Sequence, residues 1–144
     1  MIYYEIGSPQ TSLSRDDLKR GLNEAMEKLG ERQKVIAVPP DYTRLPSKAG
    51  ELTEIAWEYY GDKLTDILPA LGTHTPMTDE QISHMFGQTP RELFREHDWR
   101  NDVITLGEVP AEYVREISEG KVDFTWPAQV NKMLVEEDYD LILS

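Results

Sequence analysis

Residues 35–38, Val35-Ile36-Ala37-Val38, form a compact apolar run that predicts a buried β-strand. The segment before this run predicts a helix that begins at a capping box, Ser14-Arg15-Asp16-Asp17, and ends at Gly30. The segment after it carries apolar side chains at helical spacing and predicts a second helix that ends at Gly61. Residues 64–71 predict the next strand, with its end distorted by a proline. Strands and helices therefore alternate from the start.

The alternation continues through the rest of the chain. Further strands are predicted at residues 2–6, 103–106, 122–126 and 141–143. Further helices are predicted from a capping box at Thr78 to Gly87, from Thr89, over residues 110–119, and over one or two turns within residues 129–137. Short apolar strands between amphipathic helices are typical of a parallel sheet covered on both faces. We therefore expect an α/β fold, a Rossmann-like doubly wound and mostly parallel sheet, with residues 1–144 forming one domain or the first part of one.

Composition and charge exclude several classes of protein. The formal net charge is −12 and the basic residues do not cluster, so no nucleic-acid partner is expected. The chain has no signal-peptide pattern and no apolar run near the ~20 residues that cross a bilayer. We therefore expect a cytoplasmic protein without a membrane partner. The absence of cysteine excludes disulfides, iron–sulfur clusters and thiolate zinc sites.

Two loops follow predicted strands at the edge of the sheet where ligands bind in such folds. The first loop, residues 39–46, places Asp41 and Arg44 between prolines that stiffen the backbone. Arg44 can bind a carboxylate or phosphate through two parallel hydrogen bonds, and Asp41 can orient a neighbouring histidine or accept from a ligand hydroxyl. The alternative interpretation is an Asx turn beside a solvated arginine.

The second loop, residues 72–77, contains His74 next to a glycine and two threonines. The positive end of the helix that begins near Thr78 would tend to keep the imidazole neutral, as a general base requires. The alternative is an exposed loop histidine without a chemical role. The other two histidines are not expected in this site. His84 is expected to form a solvated pair with Glu80, and His97 is expected to belong to a mainly structural cluster at the opposite end of the sheet.

Several known signatures are missing from the sequence. It contains no dinucleotide-binding glycine motif, no Walker A loop, no nucleophile elbow, and no histidine spacing typical of a metal site.

Three motifs, in order along residues 35–144, resemble the N-terminal domain of the lactate racemase family. They are Asp41-Tyr42-Thr43-Arg44, Gly72-Thr73-His74-Thr75-Pro76-Met77-Thr78 and His97-Asp98-Trp99, and the acidic turn with Asp140-Leu141-Ile142-Leu143 resembles the same domain. The resemblance implies a nickel-pincer nucleotide that takes a hydride from the α-carbon of a 2-hydroxy acid while a histidine removes the hydroxyl proton. The planar 2-keto acid then takes both back from either side, which interconverts the stereoisomers.

The resemblance also implies roles for four residues. His74 would be one of two catalytic acid/base histidines, and Arg44 would bind the substrate carboxylate. Asp41 and Thr43 would line the pocket as cofactor-binding residues. The family's second histidine, its cofactor-attaching lysine and its nickel-binding histidine come after the strand that ends this sequence.

We therefore expect a truncated N-terminal part of a 2-hydroxyacid racemase or epimerase, inactive alone. The nickel-pincer nucleotide is expected in the full-length protein, and neither the cofactor nor a metal ligand in this chain. One alternative is a non-catalytic α/β module that binds a nucleotide or a small carboxylate, and another is a plain structural fragment.

Overall fold

The elements of the chain are described by a computed structural model that covers residues 1–144. The α-helices are α1 (Arg15–Leu29), α2 (Ala49–Tyr60), α3 (Asp79–Phe86), α4 (Ala111–Ile117) and α5 (Met133–Glu136). The strands are β1 (Val35–Ala37), β2 (Leu64–Ile67), β3 (Val103–Val109), β4 (Trp126–Asn131) and β5 (Leu141–Leu143). Short 3₁₀ helices span Tyr42–Ser47, Gly61–Lys63 and Arg91–Leu93.

The elements form two units, and the larger one is built on a parallel sheet. It comprises Met1–His97 and Tyr139–Ser144, and its strand order is β2-β1-β5. Both neighbours of β1 run parallel to it. The parallel sheet and its flanking helices confirm the predicted α/β class.

The predicted capping boxes fix where two of the helices begin. The Ser14 side chain accepts a hydrogen bond from the Asp17 backbone N–H, and the Asp17 carboxylate accepts from the Ser14 N–H. Thr78 and Gln81 make the same reciprocal pair at α3. These bonds satisfy donors that have no partner inside the helix, and both predicted helix starts are confirmed.

The main core lies on one face of the parallel sheet. Val35 and Ala37 point to the same face because side chains alternate along a strand. They are buried in one cluster with side chains of the first three helices: Met26, Ala56, Tyr60, Ile82, Met85 and Phe86. Ile36, on the opposite face, is also fully buried. Since α1, α2 and α3 all contribute to the one cluster, helices on both faces stay a prediction.

Helices α2 and α3 pack unusually closely at Gly50. A Cβ atom at this position would lie 2.0 Å from the Met85 carbonyl oxygen. No real Cβ contact is that short, so the close approach requires glycine.

The last strand, β5, is fastened to β1 by an aspartate. The Asp140 carboxylate accepts hydrogen bonds from the backbone N–H groups of Gln33 at 2.8 Å and Lys34 at 3.1 Å. In sequence, Asp140 is 107 residues from Gln33 and 106 residues from Lys34. Next to it, the Tyr139 hydroxyl donates to the buried carboxylate of Asp66 in β2 at 2.7 Å. These hydrogen bonds link the residues just before β5 to the residues just before β1 and to β2.

The smaller unit, Asp98–Asp138, differs from the prediction. Its strands β3 and β4 form a two-stranded antiparallel sheet and do not extend the parallel sheet. The predicted strand at 122–126 lies later, at Trp126–Asn131, and helical structure within 129–137 is confined to Met133–Glu136. The predictions failed here because short apolar runs do not specify a strand's partner or direction. The prediction that residues 1–144 form one domain stays a prediction.

The predicted strand at residues 2–6 is also wrong. The segment has no strand pairing, and Ile2 and Ile6 are exposed. It contacts α1 through the Tyr4 ring, which lies against Gly21, and through the Tyr3 carbonyl, which accepts a hydrogen bond from Lys28 at 2.8 Å. The apolar residues in this segment suggested a strand, but a strand also needs a neighbouring strand to hydrogen-bond with.

Candidate active site

The two loops singled out in the sequence leave the parallel sheet side by side. Beyond the end of β2, the Leu68 N–H donates to the Ala37 carbonyl and the Ala70 N–H donates to the Pro39 carbonyl, both at 2.8 Å. These bonds continue the β1–β2 pairing for a few residues past the strands, although β2 itself ends at Ile67, before the proline. The loops after β1 and β2 therefore start in register at the carboxyl edge.

Asp41 and His74 come together at this edge. His74 Nδ1 lies 2.5 Å from Asp41 Oδ2, within hydrogen-bonding distance. Asp41 is only 6% exposed, whereas the side chain of His74 is 58% exposed. One ring nitrogen therefore faces a buried carboxylate, and Nε2 is the nitrogen left for another partner.

Asp41 also organises its own loop. Its Oδ1 atom accepts hydrogen bonds from the Thr43 hydroxyl at 2.5 Å and from the Thr43 backbone N–H at 3.2 Å. The second bond caps the 3₁₀ helix Tyr42–Ser47. Burial acts to raise the pKa of Asp41, but the hydrogen bonds from Thr43 and His74 outweigh burial and hold this pKa below its usual value. The carboxylate is thus stabilised in its charged form.

The backbone of the second loop presents His74 to this carboxylate. Gly72 adopts a positive φ of +57°, which other residues rarely adopt, and the His74 N–H donates to the Leu71 carbonyl at 3.0 Å. The sequence suggested that the positive end of α3 acts on the ring and that Asp41 can orient a neighbouring histidine. In the structure, the group that contacts the ring is Asp41.

Arg44 is placed by the same 3₁₀ helix. Its backbone N–H donates to the Asp41 carbonyl at 2.9 Å. Its side chain is exposed and forms no salt bridge, so the structure does not bring its guanidinium onto Asp41 or His74. A cation at the carboxyl edge without an internal partner can bind an external anion, which matters in a chain of net charge −12.

Tyr42 and His84 form a contact that the sequence did not reveal. The Tyr42 hydroxyl lies 2.7 Å from His84 Nδ1, and the ring centroids are 5.8 Å apart. The expected pairing of His84 with Glu80 is therefore wrong. The two partners are 42 residues apart, so no local pattern could have predicted the contact.

The cluster after His97 consists of a turn. The Asp98 carboxylate accepts from the backbone N–H of Arg100 and from both the backbone and the side-chain amide of Asn101. The Arg100 guanidinium stacks over the Trp99 ring at 3.8 Å. These contacts fit a structural turn before β3, and the role of His97 itself stays a prediction.

The described residues 1–144 contain no group of three His, Cys, Asp or Glu side chains that could hold a metal ion. None of the helices combines the length and the apolar character that spanning a membrane requires.

Two solved structures are similar to this chain. A protein from Thermotoga maritima, determined by a structural genomics consortium, is 31% identical, with a TM-score of 0.78 over 96% of this chain and 34% of the other. The lactate racemase apoprotein from Thermoanaerobacterium thermosaccharolyticum is 21% identical, with a TM-score of 0.59 over 89% of this chain and 30% of the other. No protein-family model and no curated protein sequence matches the chain.

These similarities concern only part of each neighbour. The chain spans about a third of the length of both proteins. At 21% identity the likeness to the lactate racemase apoprotein shows a shared fold. The α/β unit that carries Asp41 and His74 is therefore similar in fold to part of a lactate racemase.

Proposed function

We propose that this chain supplies the acid/base histidine and the carboxylate-binding arginine of an enzyme that interconverts stereoisomers of a 2-hydroxy acid. The observation that carries the proposal is the 2.5 Å contact between His74 Nδ1 and the buried Asp41 carboxylate. The motifs around these two residues resemble the lactate racemase family, and a lactate racemase apoprotein shares the fold.

The Asp41–His74 pair has the arrangement that proton transfer requires. A proton on Nδ1 that is donated to Asp41 leaves the lone pair on Nε2, which then accepts the hydroxyl proton of the substrate. The carboxylate stabilises the imidazolium that forms and holds the ring in one orientation. Because the pKa of Asp41 is lowered, the carboxylate stays charged while the imidazole takes up and releases the proton.

Arg44 supplies the cation that the substrate carboxylate needs. Its side chain is exposed at the same sheet edge and has no salt-bridge partner to displace. Two parallel N–H···O bonds from a guanidinium would fix the carboxylate in one plane. A 2-hydroxy acid held in this way presents its hydroxyl group in a fixed direction.

We propose no nickel ligand in this chain for the nickel-pincer nucleotide that the resemblance implies. Asp41 already accepts three hydrogen bonds from Thr43 and His74, and no three-ligand cluster is present in residues 1–144. Asp41 and Thr43 hydrogen-bond to each other, and contact of either with the cofactor stays a proposal. We propose for this chain only the binding and proton-transfer steps.

Nuclear magnetic resonance of the ¹⁵N-histidine-labelled chain tests the proposal. We expect D- or L-lactate, or malate, to shift the His74 Nε2 resonance, and Arg44→Ala to weaken the response. Acetate lacks the hydroxyl group and serves as the matched control. Equal shifts with acetate and lactate would favour the non-catalytic carboxylate-binding module, and no shift with any 2-hydroxy acid would contradict the proposal.

A further inference from the structure

The loop that carries Asp41 is held to the rest of the site at three points. Asp41 contacts His74 directly. The Tyr42 backbone N–H lies 3.2 Å from the Met77 sulfur, three residues beyond His74, and the Tyr42 hydroxyl lies 2.7 Å from His84 on α3. Two of the three points belong to Tyr42, the residue that directly follows Asp41.

Both ends of this connection are supported by the core. Tyr42 and Met77 are partly buried and pack against the main core cluster. Helix α3 is anchored in the same cluster by Ile82, Met85 and Phe86, while His84 lies on its exposed side. His84 is therefore a fixed point on a rigid helix, and the Tyr42 hydroxyl connects the Asp41 loop to it.

We infer that Tyr42 and His84 are positioning residues that hold the Asp41 carboxylate against His74. The inference rests on the proposed function, because it assigns the two residues a role in that site. Tyr42 and Asp41 share a peptide unit, so a shift of the Tyr42 backbone also turns the backbone that carries the carboxylate. A 2.5 Å hydrogen bond weakens steeply with small changes in distance and angle. Displacement of a reacting group by about 1 Å can cost on the order of a hundredfold in rate.

Substitutions separate this role from a general contribution to stability. Tyr42→Phe removes the hydroxyl and keeps the packed ring, and His84→Ala removes the partner from an exposed position. His84→Asn places an amide oxygen near the site of Nδ1 and is expected to restore the hydrogen bond. Ser83→Ala, at the neighbouring exposed position of α3, is the matched control.

The readout is the ¹⁵N and ¹H spectrum of the His74 ring in the intact 144-residue chain, recorded with the thermal unfolding midpoint. We expect Tyr42→Phe and His84→Ala to change the Nδ1 resonance and its tautomer population, and His84→Asn and Ser83→Ala to leave both near wild type. Lactate affinity should fall about three- to tenfold in the first pair, the size of one lost neutral hydrogen bond.

The possible outcomes distinguish this inference from the proposed function. An unchanged His74 spectrum in folded Tyr42→Phe would overturn the positioning role, whatever the chain binds. A His74 spectrum that changes in Tyr42→Phe and His84→Ala and is restored in His84→Asn would support the positioning role. If the wild-type chain then bound no 2-hydroxy acid, only the proposed function would be contradicted. A changed unfolding midpoint with an unchanged His74 spectrum would mean that the contact is only structural.

Discussion

Asp41 and His74 are 33 residues apart in sequence, and their side chains meet at 2.5 Å across the carboxyl edge of the parallel sheet. One partner is buried and the other is exposed, so the pair connects the interior of the fold to a surface that a ligand can reach. Substitution of His74 and substitution of Asp41 are therefore expected to change different measured quantities.

Removal of the imidazole should affect turnover more than binding. In a cofactor-loaded full-length protein that interconverts a 2-hydroxy acid, we expect His74→Ala to lower turnover by about 10²–10⁴-fold, the usual contribution of a general acid/base. Substrate affinity should change much less. The measurement is chiral analysis of a panel that begins with lactate and malate. Near-normal turnover on a substrate that the parent converts would show that His74 is not catalytic.

Removal of the guanidinium should affect binding first. We expect Arg44→Ala to weaken affinity for the 2-hydroxy acid roughly ten- to a hundredfold, because a charge-assisted contact is worth about 1.5–3 kcal/mol. Arg44→Lys should recover only part of the loss, since an ammonium group cannot form the two parallel bonds. Titration calorimetry measures both variants. Equal affinity in wild type and Arg44→Ala would remove Arg44 from the site.

The lowered pKa of Asp41 predicts how stability depends on pH. A carboxylate whose pKa is lower in the folded state stabilises the fold at pH values above its unfolded pKa of about 3.9, and this contribution is lost as the pH falls through the folded pKa. We expect Asp41→Asn to be less stable than wild type near neutral pH, with the difference shrinking toward pH 2–3.

Urea unfolding between pH 2 and pH 7 measures that difference. Asp62→Asn, at an exposed position in the 3₁₀ helix after α2, is the control and should give a small difference at every pH. A stability difference for Asp41→Asn that stays constant over the whole range would show that the charge of Asp41 does not contribute.

The close approach of α2 to α3 predicts a steric effect. We expect Gly50→Ala to reduce the free energy of unfolding by about 1–3 kcal/mol, the usual cost of overpacking, because the added methyl group meets the Met85 backbone carbonyl. Gly7→Ala, where a Cβ atom has no neighbour within 4 Å, is the matched control. Denaturant unfolding compares the two, and equal stability of both variants would contradict the packing argument.

The sequence was informative where structure is determined locally. The capping pairs of Ser14 with Asp17 and of Thr78 with Gln81 act within one helical turn, so both helix starts could be predicted. The common position of the Asp41 and His74 loops could also be predicted. Each loop follows a predicted strand, and the loops at the carboxyl ends of parallel strands lie at the same edge of the sheet.

It was uninformative where structure depends on a distant partner. The antiparallel pairing of β3 with β4 and the failure of residues 2–6 to form a strand both depend on which segments are available as neighbours. The Tyr42–His84 contact is of the same kind, because nothing near either residue encodes the other.

The fastening of β5 by Asp140 has a kinetic consequence. Strands β1 and β2 are close in sequence, whereas Asp140 binds the backbone before β1 across 106 residues. Since the entropy of closing a loop grows with the logarithm of its length, β5 pairing carries roughly 1 kcal/mol more of this cost than β2 pairing. During synthesis, β1 therefore keeps one edge unpaired until β5 leaves the ribosome. Until then, that edge of the nascent chain can pair with another molecule.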